Sequence, residues 1–294
     1  MENTLPDTYR RLKRIRDNRL DVDRLHEYDL SLQYGPRDLQ LLISDSFDHR
    51  VLLLEDYVFD HGNSPVAAHE VLGRLIDDHE LLGAGFWKSV ACIWKGRKFS
   101  LVPDAIYHQP STAAYLRANS GFDPEIDIIF TTRHDDIGLI NVFAANREVL
   151  GLIERAYSNT RVRHMHQSSA IIGGMKALSG NPDPIVFLFI DRFVLHIAVF
   201  RDHQFRFYNQ YPIHKFEDYL RFLRMVTDEL GIHPGSAQTV LYGYLGERTP
   251  HYSALKTSIP DLSTGKRPTG LLYGFEFDQI AEHQYFDLLS SGKI

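Results

Sequence analysis

Cysteine is nearly absent: Cys92 stands alone in a chain of 294 residues. An internal disulfide is excluded, and a reducing compartment, the cytoplasm, is the expected setting. Long apolar runs are missing too. The longest, residues 185–190, stops at Asp191 and Arg192, far short of the ~20 residues that a membrane-spanning helix needs. The opening MENTLPDTYRRLKRIRD lacks the apolar stretch of a secretory signal. Neither sign of charge dominates. With 32 basic and 38 acidic residues the net charge is −6, so nothing global draws the chain to nucleic acid or anionic lipid. There is no Gly-x-Ser-x-Gly elbow for a serine nucleophile. Residues 262–267 have the look of a phosphate loop, but Pro260 stands where its first glycine belongs and Arg267 where Ser or Thr is needed. What remains, 44% hydrophobic and 24% charged, is ordinary globular composition.

The first 24 residues read as a polar basic arm, with Arg10, Arg11, Lys13, Arg14, Arg16 and Arg19 partly offset by Asp17, Asp21 and Asp23. Residues 10–24 are the one stretch from which RNA association is expected. From Tyr28 the texture changes. Leu30, Leu32 and Tyr34 alternate with polar residues, Gly35-Pro36-Arg37-Asp38 makes a turn, and residues 39–43 and 50–59 continue as strands around a second turn at 44–49. Three strands on short loops predict an antiparallel meander. A helix follows, capped by Ser64 with Pro65 at its first position, its apolar stripe being Ala68, Val71, Leu72, Leu75 and Ile76. Further strands are expected at 87–95, 98–102, 126–132 and 139–144, and helices at 103–119 and 147–157.

The pattern then returns. Residues 185–190, 193–200 and 204–211 form a second meander, followed by a helix with Phe216, Tyr219, Leu220, Leu223, Val226 and Leu230 on one face and Gly231 at its end. A strand at 239–242, a helix at 250–257, a strand at 271–275 and a last helix at 279–290 complete the reading. Asp48-His49 and Asp202-His203 mark the second hairpin tip of the two meanders, and Tyr57 and Tyr211 end their third strands. The repeated order predicts two similar α/β lobes, 25–163 and 164–294. In each, the helix after the third strand crosses back and makes the next strand parallel.

The segments YDLSLQ (28–33), VLLLEDYVF (51–59), SLVPDAIY (100–107), INVF (140–143), HMHQSS (164–169), FRFYNQYP (205–212) and LYGYLGE (241–247) resemble an uncharacterised bacterial domain-of-unknown-function family with an actin-like ATPase fold. The stretch 185–223 is similar to the second lobe of the actin-like proteins of the type IV pilus platform. The resemblance implies an α/β chain of two ribonuclease-H-like lobes. In active members of this fold, ATP lies between the lobes. An Asp-x-Gly hairpin in each lobe holds Mg²⁺ and approaches the phosphates, and a Gly-Gly pair lies near the adenosine. Here the matching positions are Gln33-Tyr34-Gly35 in lobe one, Phe189 and Asp191 in lobe two, and Gly243-Tyr244. An amide replaces one carboxylate and a phenylalanine the other, and a carboxylate at position 191 repels phosphate.

No catalytic residue, metal ligand or cofactor is therefore assigned, and Gln33, Gly35, Asp191 and Gly243 stand as remnants of a degenerate cleft. The implied function is a non-catalytic, pseudo-ATPase scaffold that binds a protein partner. The alternative is a switch that binds ATP·Mg²⁺ or another phosphorylated ligand with little hydrolysis. Four other features have bland readings. His164 and His166 are packed or hydrogen-bonded, 133–136 is a hairpin turn, Gly173-Gly174 marks close helix packing, and Cys92 is a buried thiol. Phe207, Tyr208, Tyr211, Tyr285 and Phe286 are the aromatic candidates for a partner interface.

Overall fold

The computed structural model describes residues 8–60, 68–180, 184–233, 235 and 237–293. The helix cap expected at Ser64 and Pro65 lies outside them. The chain divides into two compact units, Met1–Ser169 with Gly270–Asp278, and Ala170–Thr269 with Gln279–Ile294.

In the first unit the meander comprises β2 (Tyr28–Gly35), β3 (Asp38–Asp45) and β4 (Arg50–Phe59). Residues 9–16 correct the expectation of a free basic arm: β1 (Tyr9–Arg16) is an antiparallel edge strand on β4. Its charges are neutralised within the fold. Arg14 Nε lies 3.0 Å and a nitrogen of Arg11 3.6 Å from Glu55 Oε1, and Arg14 and Arg16 also meet Glu80. The expected RNA-binding run is thus an internally paired strand. α1 (Ala68–Asp78) buries Val71, Leu72, Leu75 and Ile76, four members of the expected stripe. The crossover then makes β5 (Ser89–Trp94) parallel to β2.

β6 (Phe99–Pro103), α2 (Thr112–Asn119), β7 (Asp127–His134) and β8 (Leu139–Asn146) follow, the strands forming a separate three-stranded sheet. α3 (Arg147–Ala156) is capped by Asn146, whose side chain accepts from the Glu148 and Val149 amides. β9 (Val162–His166) then returns to the main sheet beside β5. That pairing keeps His164 and His166 in the first unit, so the division falls at 169/170 rather than 163/164. It lies within α4 (Gln167–Lys176). The core packs Leu30, Leu32, Leu41 and Leu53 against the inner faces of α1 and α3.

The second unit repeats the plan with β10 (Ile185–Asp191), β11 (Val194–Arg201), β12 (Gln204–Pro212), α5 (Glu217–Glu229) and β13 (Gln238–Gly243), β13 running parallel to β10. Gly231, at φ +60, ends α5, and Ile232 N closes the cap on Thr227 O at 2.8 Å. After α6 (Pro250–Ser258), residues 262–264 form an edge strand, β14 (Leu262–Thr264), on β13 rather than a loop. β15 is only Leu272–Tyr273 and pairs with β4 of the first unit. The last helix is also shorter than expected. α7 spans Phe286–Ser290, because Tyr285 adopts φ +56 and stops a helix from running through it.

Gly174 on α4 behaves as the glycine pair anticipates. A Cβ there would lie 2.3 Å from Ser290 Oγ and 2.9 Å from the Phe286 ring. Gly174→Val is expected to cost about 2–3 kcal/mol by overpacking, read as a lower urea midpoint with an unchanged slope. A midpoint within error of wild type would mean that this contact is loose.

Candidate functional site

The site expected from sequence begins at the first hairpin of each unit. In the first, Gln33 is fully buried and sits opposite Gln40, donating from Nε2 to Gln40 Oε1 at 2.6 Å. Its amide is spent inside the sheet. Gly35 closes the hairpin opposite Asp38, with Pro36 and Arg37 at the tip. A Cβ on Gly35 would lie 2.6 Å from Asp38 Oδ1. The Asp38 carboxylate is itself held by Lys95 Nζ at 2.9 and 3.1 Å. Both partners are nearly buried, and the Lys95 amide donates to Tyr34 O at 2.8 Å. So the glycine admits an internal carboxylate, where an active hairpin would admit a phosphate.

The second hairpin has the same register. Phe189 sits opposite His196, as Gln33 does opposite Gln40, and Asp191 sits opposite Val194, as Gly35 does opposite Asp38. Phe189 is buried and its ring meets the His196 ring edge-on at 5.3 Å, while His196 Nδ1 bonds the Tyr208 hydroxyl at 2.7 Å. Asp191 is 5% exposed. Gly243 ends β13 beside Ile190, so the structure brings Gly243 to the same sheet end as Asp191. Its φ is +95, and a Cβ would fall 2.0 Å from Ile190 O. Its amide donates to His283 O, and that of Tyr244 to Ile190 O. Close backbone packing is reason enough for this glycine.

Beside the first hairpin, within the first unit, lies a cavity of about 650 Å³ walled by Tyr34, Pro36, Trp94, Lys95, Arg97 and Lys98. Lys98 Nζ meets Asp127 Oδ2 at 2.6 Å, and His69 Nδ1 meets Glu148 Oε2 at 3.1 Å. Arg97 is exposed and has no acidic partner among the described residues. The volume lies in the range of small-molecule sites. Its polar wall is the nearest thing to an anion-facing surface at the expected site. No group of three or more His, Cys, Asp or Glu among the described residues could hold a metal ion.

A family model described as "Protein of unknown function (DUF3822)" matches residues 17–262. The chain belongs to the DUF3822 family. Among solved structures, a Bacteroides thetaiotaomicron protein described as having an actin-like ATPase fold and unknown function is similar at TM-score 0.79. The two share 14% identity over 94% of this chain and 99% of that one. A chain of a PilM–PilN type IV pilus biogenesis complex is similar at TM-score 0.61, with 13% identity over 90% of this chain and 98% of that one. No curated protein matches the sequence. This DUF3822 member has the actin-like ATPase fold, as its motifs imply.

Two further groups of residues that the sequence singles out also find their places. His164 Nδ1 accepts from Trp94 Nε1 at 3.2 Å, its ring packs 4.7 Å from Phe130, and burial lowers its pKa to about 4. His166 donates from Nε2 to Gly96 O, leaving Nδ1 to accept from the Ser168 hydroxyl at 2.7 Å. The two imidazoles thus serve different local partners. Residues 135–138 connect β7 and β8, with Gly138 at φ +64 and Arg133 bonded to Asp104 at 2.6 Å. Cys92 is buried, and burial pushes its thiol pKa up.

The aromatic interface candidates need correction. Tyr208, Tyr211, Tyr285 and Phe286 are buried, and Phe207 packs half-buried against the second core. They face the protein's own interior because the meander and α7 each cover one sheet face. The exposed aromatics of this DUF3822 chain include Phe47, Phe86, Phe193 and Phe275, which alternation along strands does not single out.

Proposed function

We propose that this DUF3822 protein is a non-catalytic, pseudo-ATPase scaffold acting in the cytoplasm through a protein partner. The observation that carries the reading is the Gln33–Gln40 amide bond together with the Asp38–Lys95 ion pair over Gly35. The groups that would grip magnesium and phosphate at this hairpin have been replaced by groups that satisfy one another. A neutral amide is a poor partner for Mg²⁺, and Asp38 holds negative charge where a phosphate would come. The PilM chain of similar fold is in a complex with PilN, which supports a partner-binding role for such a fold without a turnover step. None of the described helices is long and apolar enough to cross a membrane.

A second reading has its own observation. The cavity beside Gly35, with Arg97 at its wall, favours a switch that binds ATP or another phosphorylated ligand with little hydrolysis. Thermal unfolding separates the two. A ligand at a hundredfold excess over its dissociation constant adds about 2.7 kcal/mol of stability. Millimolar ATP with Mg²⁺ is expected to leave the midpoint unchanged, while a tagged chain retains a stoichiometric partner at mild salt. A rise in midpoint with ATP that Arg97→Glu abolishes would favour the switch. No retained partner in that purification would overturn the scaffold.

A further inference from the structure

Between Thr269 and Gln279 the chain leaves the second unit, lays two residues of β15 along the start of β4, and returns. Leu272 pairs with Arg50 and its amide donates to His49 O at 3.1 Å. Gly274 lies against Asp17, where a Cβ would come within 2.5 Å of the carboxylate, and Arg50 pairs with that same Asp17 at 3.3 Å. The excursion contributes Leu272 and Phe275 to the end of the sheet where the β3–β4 turn carries Phe47. These three apolar side chains are 48%, 76% and 93% exposed. Grouped apolar exposure of this kind marks an interaction surface more often than isolated exposed residues do.

The same turn borders a cavity of about 620 Å³ whose wall includes Phe47, Arg50, Arg19, Arg24 and Lys88. Its acids are already engaged. Glu27 is paired with Arg24, Asp48 Oδ1 accepts from the Arg50 amide, and Asp45 Oδ1 accepts from the Phe47 and Asp48 amides. Arg19 and Lys88 are exposed and have no acidic partner among the described residues. Two uncommitted cations thus flank an aromatic anchor. The acids on the rim weigh against an anionic bilayer, whose charge would press on all of them at once.

We infer that the Phe47–Leu272–Phe275 surface and the adjoining Arg19–Lys88 cavity dock an acidic partner segment bearing apolar side chains. The inference rests on the scaffold reading and adds to it the place and chemistry of contact. The apolar side chains would cover Phe47 and Phe275, and a carboxylate would meet Arg19 or Lys88. Exposed anchors of this sort carry much of an interface's binding energy.

The probe is a phage-displayed library of short peptides selected on the full chain, followed by anisotropy with a synthetic copy of an enriched sequence. Enriched peptides are expected to combine Asp or Glu with apolar residues. Phe47→Ser with Phe275→Ser should weaken binding about tenfold or more. Arg19→Glu with Lys88→Glu should do the same and remove the dependence on salt. Phe193→Ser, an equally exposed change on the second unit, should leave binding intact and control for folding. Basic or purely apolar enriched peptides, or binding indifferent to both double variants, would overturn the inference. So would phosphatidylserine vesicles or a second copy of the chain proving to be the ligand lost in F47S/F275S. If a stoichiometric partner is retained in purification by F47S/F275S as by wild type, this surface is wrong and the scaffold reading stands.

Discussion

Gly243→Ala is expected to destabilise the second unit by about 3 kcal/mol or more, in the range of severe backbone strain combined with overpacking. Two independent obstacles act at this residue. The φ of +95 lies where a Cβ is disfavoured, and the added carbon would come to 2.0 Å from Ile190 O and 2.7 Å from Ile190 C. Those are backbone atoms of the central strand β10, fixed by pairing on both sides to β11 and β13, so they cannot rotate away as a side chain would. The measurement is urea unfolding followed by circular dichroism, with partner retention assayed at a temperature where the variant stays folded. The nucleotide reading, in which Gly243 survives to approach a base, predicts a folded variant that has lost only a ligand effect. A variant as stable as wild type would remove the structural explanation of this glycine.

Both meanders were legible because their strands alternate and their tips carry turn residues. Gly35-Pro36-Arg37-Asp38 and the left-handed Asp202 and His203 are local signals that need no knowledge of the rest of the fold. β1 was hidden by its composition. In YRRLKRIR only Ile15 is buried, and the strand is held largely by ladder bonds and by ion pairs to Glu55 and Glu80, residues far along the chain. A charged edge strand reads as a solvated run until its partners are known. β15 is two residues long and has no period at all.

The candidate site divides in the same way. Gln33 and Gly35 are found by motif spacing, but the ion pair that closes over Gly35 joins positions 57 apart, Asp38 and Lys95. Aromatic exposure is likewise a tertiary property. Tyr208 and Tyr211 on β12 are covered by other elements, whereas Phe47 projects from a turn that nothing described covers.

Glu55→Gln is expected to cost about 3–5 kcal/mol at neutral pH, the range for breaking a buried charge network by removing one partner. Glu55 is fully buried on β4, and donors converge on it from three elements. The Tyr57 hydroxyl donates at 2.6 Å, His79 Nε2 lies at 2.7 Å and Arg14 Nε at 3.0 Å. The histidine is oriented by its own backbone contacts. Its Nδ1 accepts from the Leu81 and Leu82 amides, so the proton is on Nε2 and points at the carboxylate. A glutamine would offer one oxygen to these donors and turn an NH₂ toward the others. Burial raises the pKa of Glu55, but the hydrogen bonds from His79 and Tyr57 and the nearby charge of Arg14 outweigh it and hold the carboxyl below its usual value. A depressed folded-state pKa contributes stability that is fully present above the unfolded value of about 4.3 and is lost as pH falls through the folded one. The stability gap between wild type and Glu55→Gln should therefore be wide at neutral pH and narrow below about pH 4. Urea midpoints of the two proteins across that window test it. A gap that stays constant down to strongly acidic pH would mean that the carboxylate charge contributes nothing, and that β1 is held to β4 by its ladder alone.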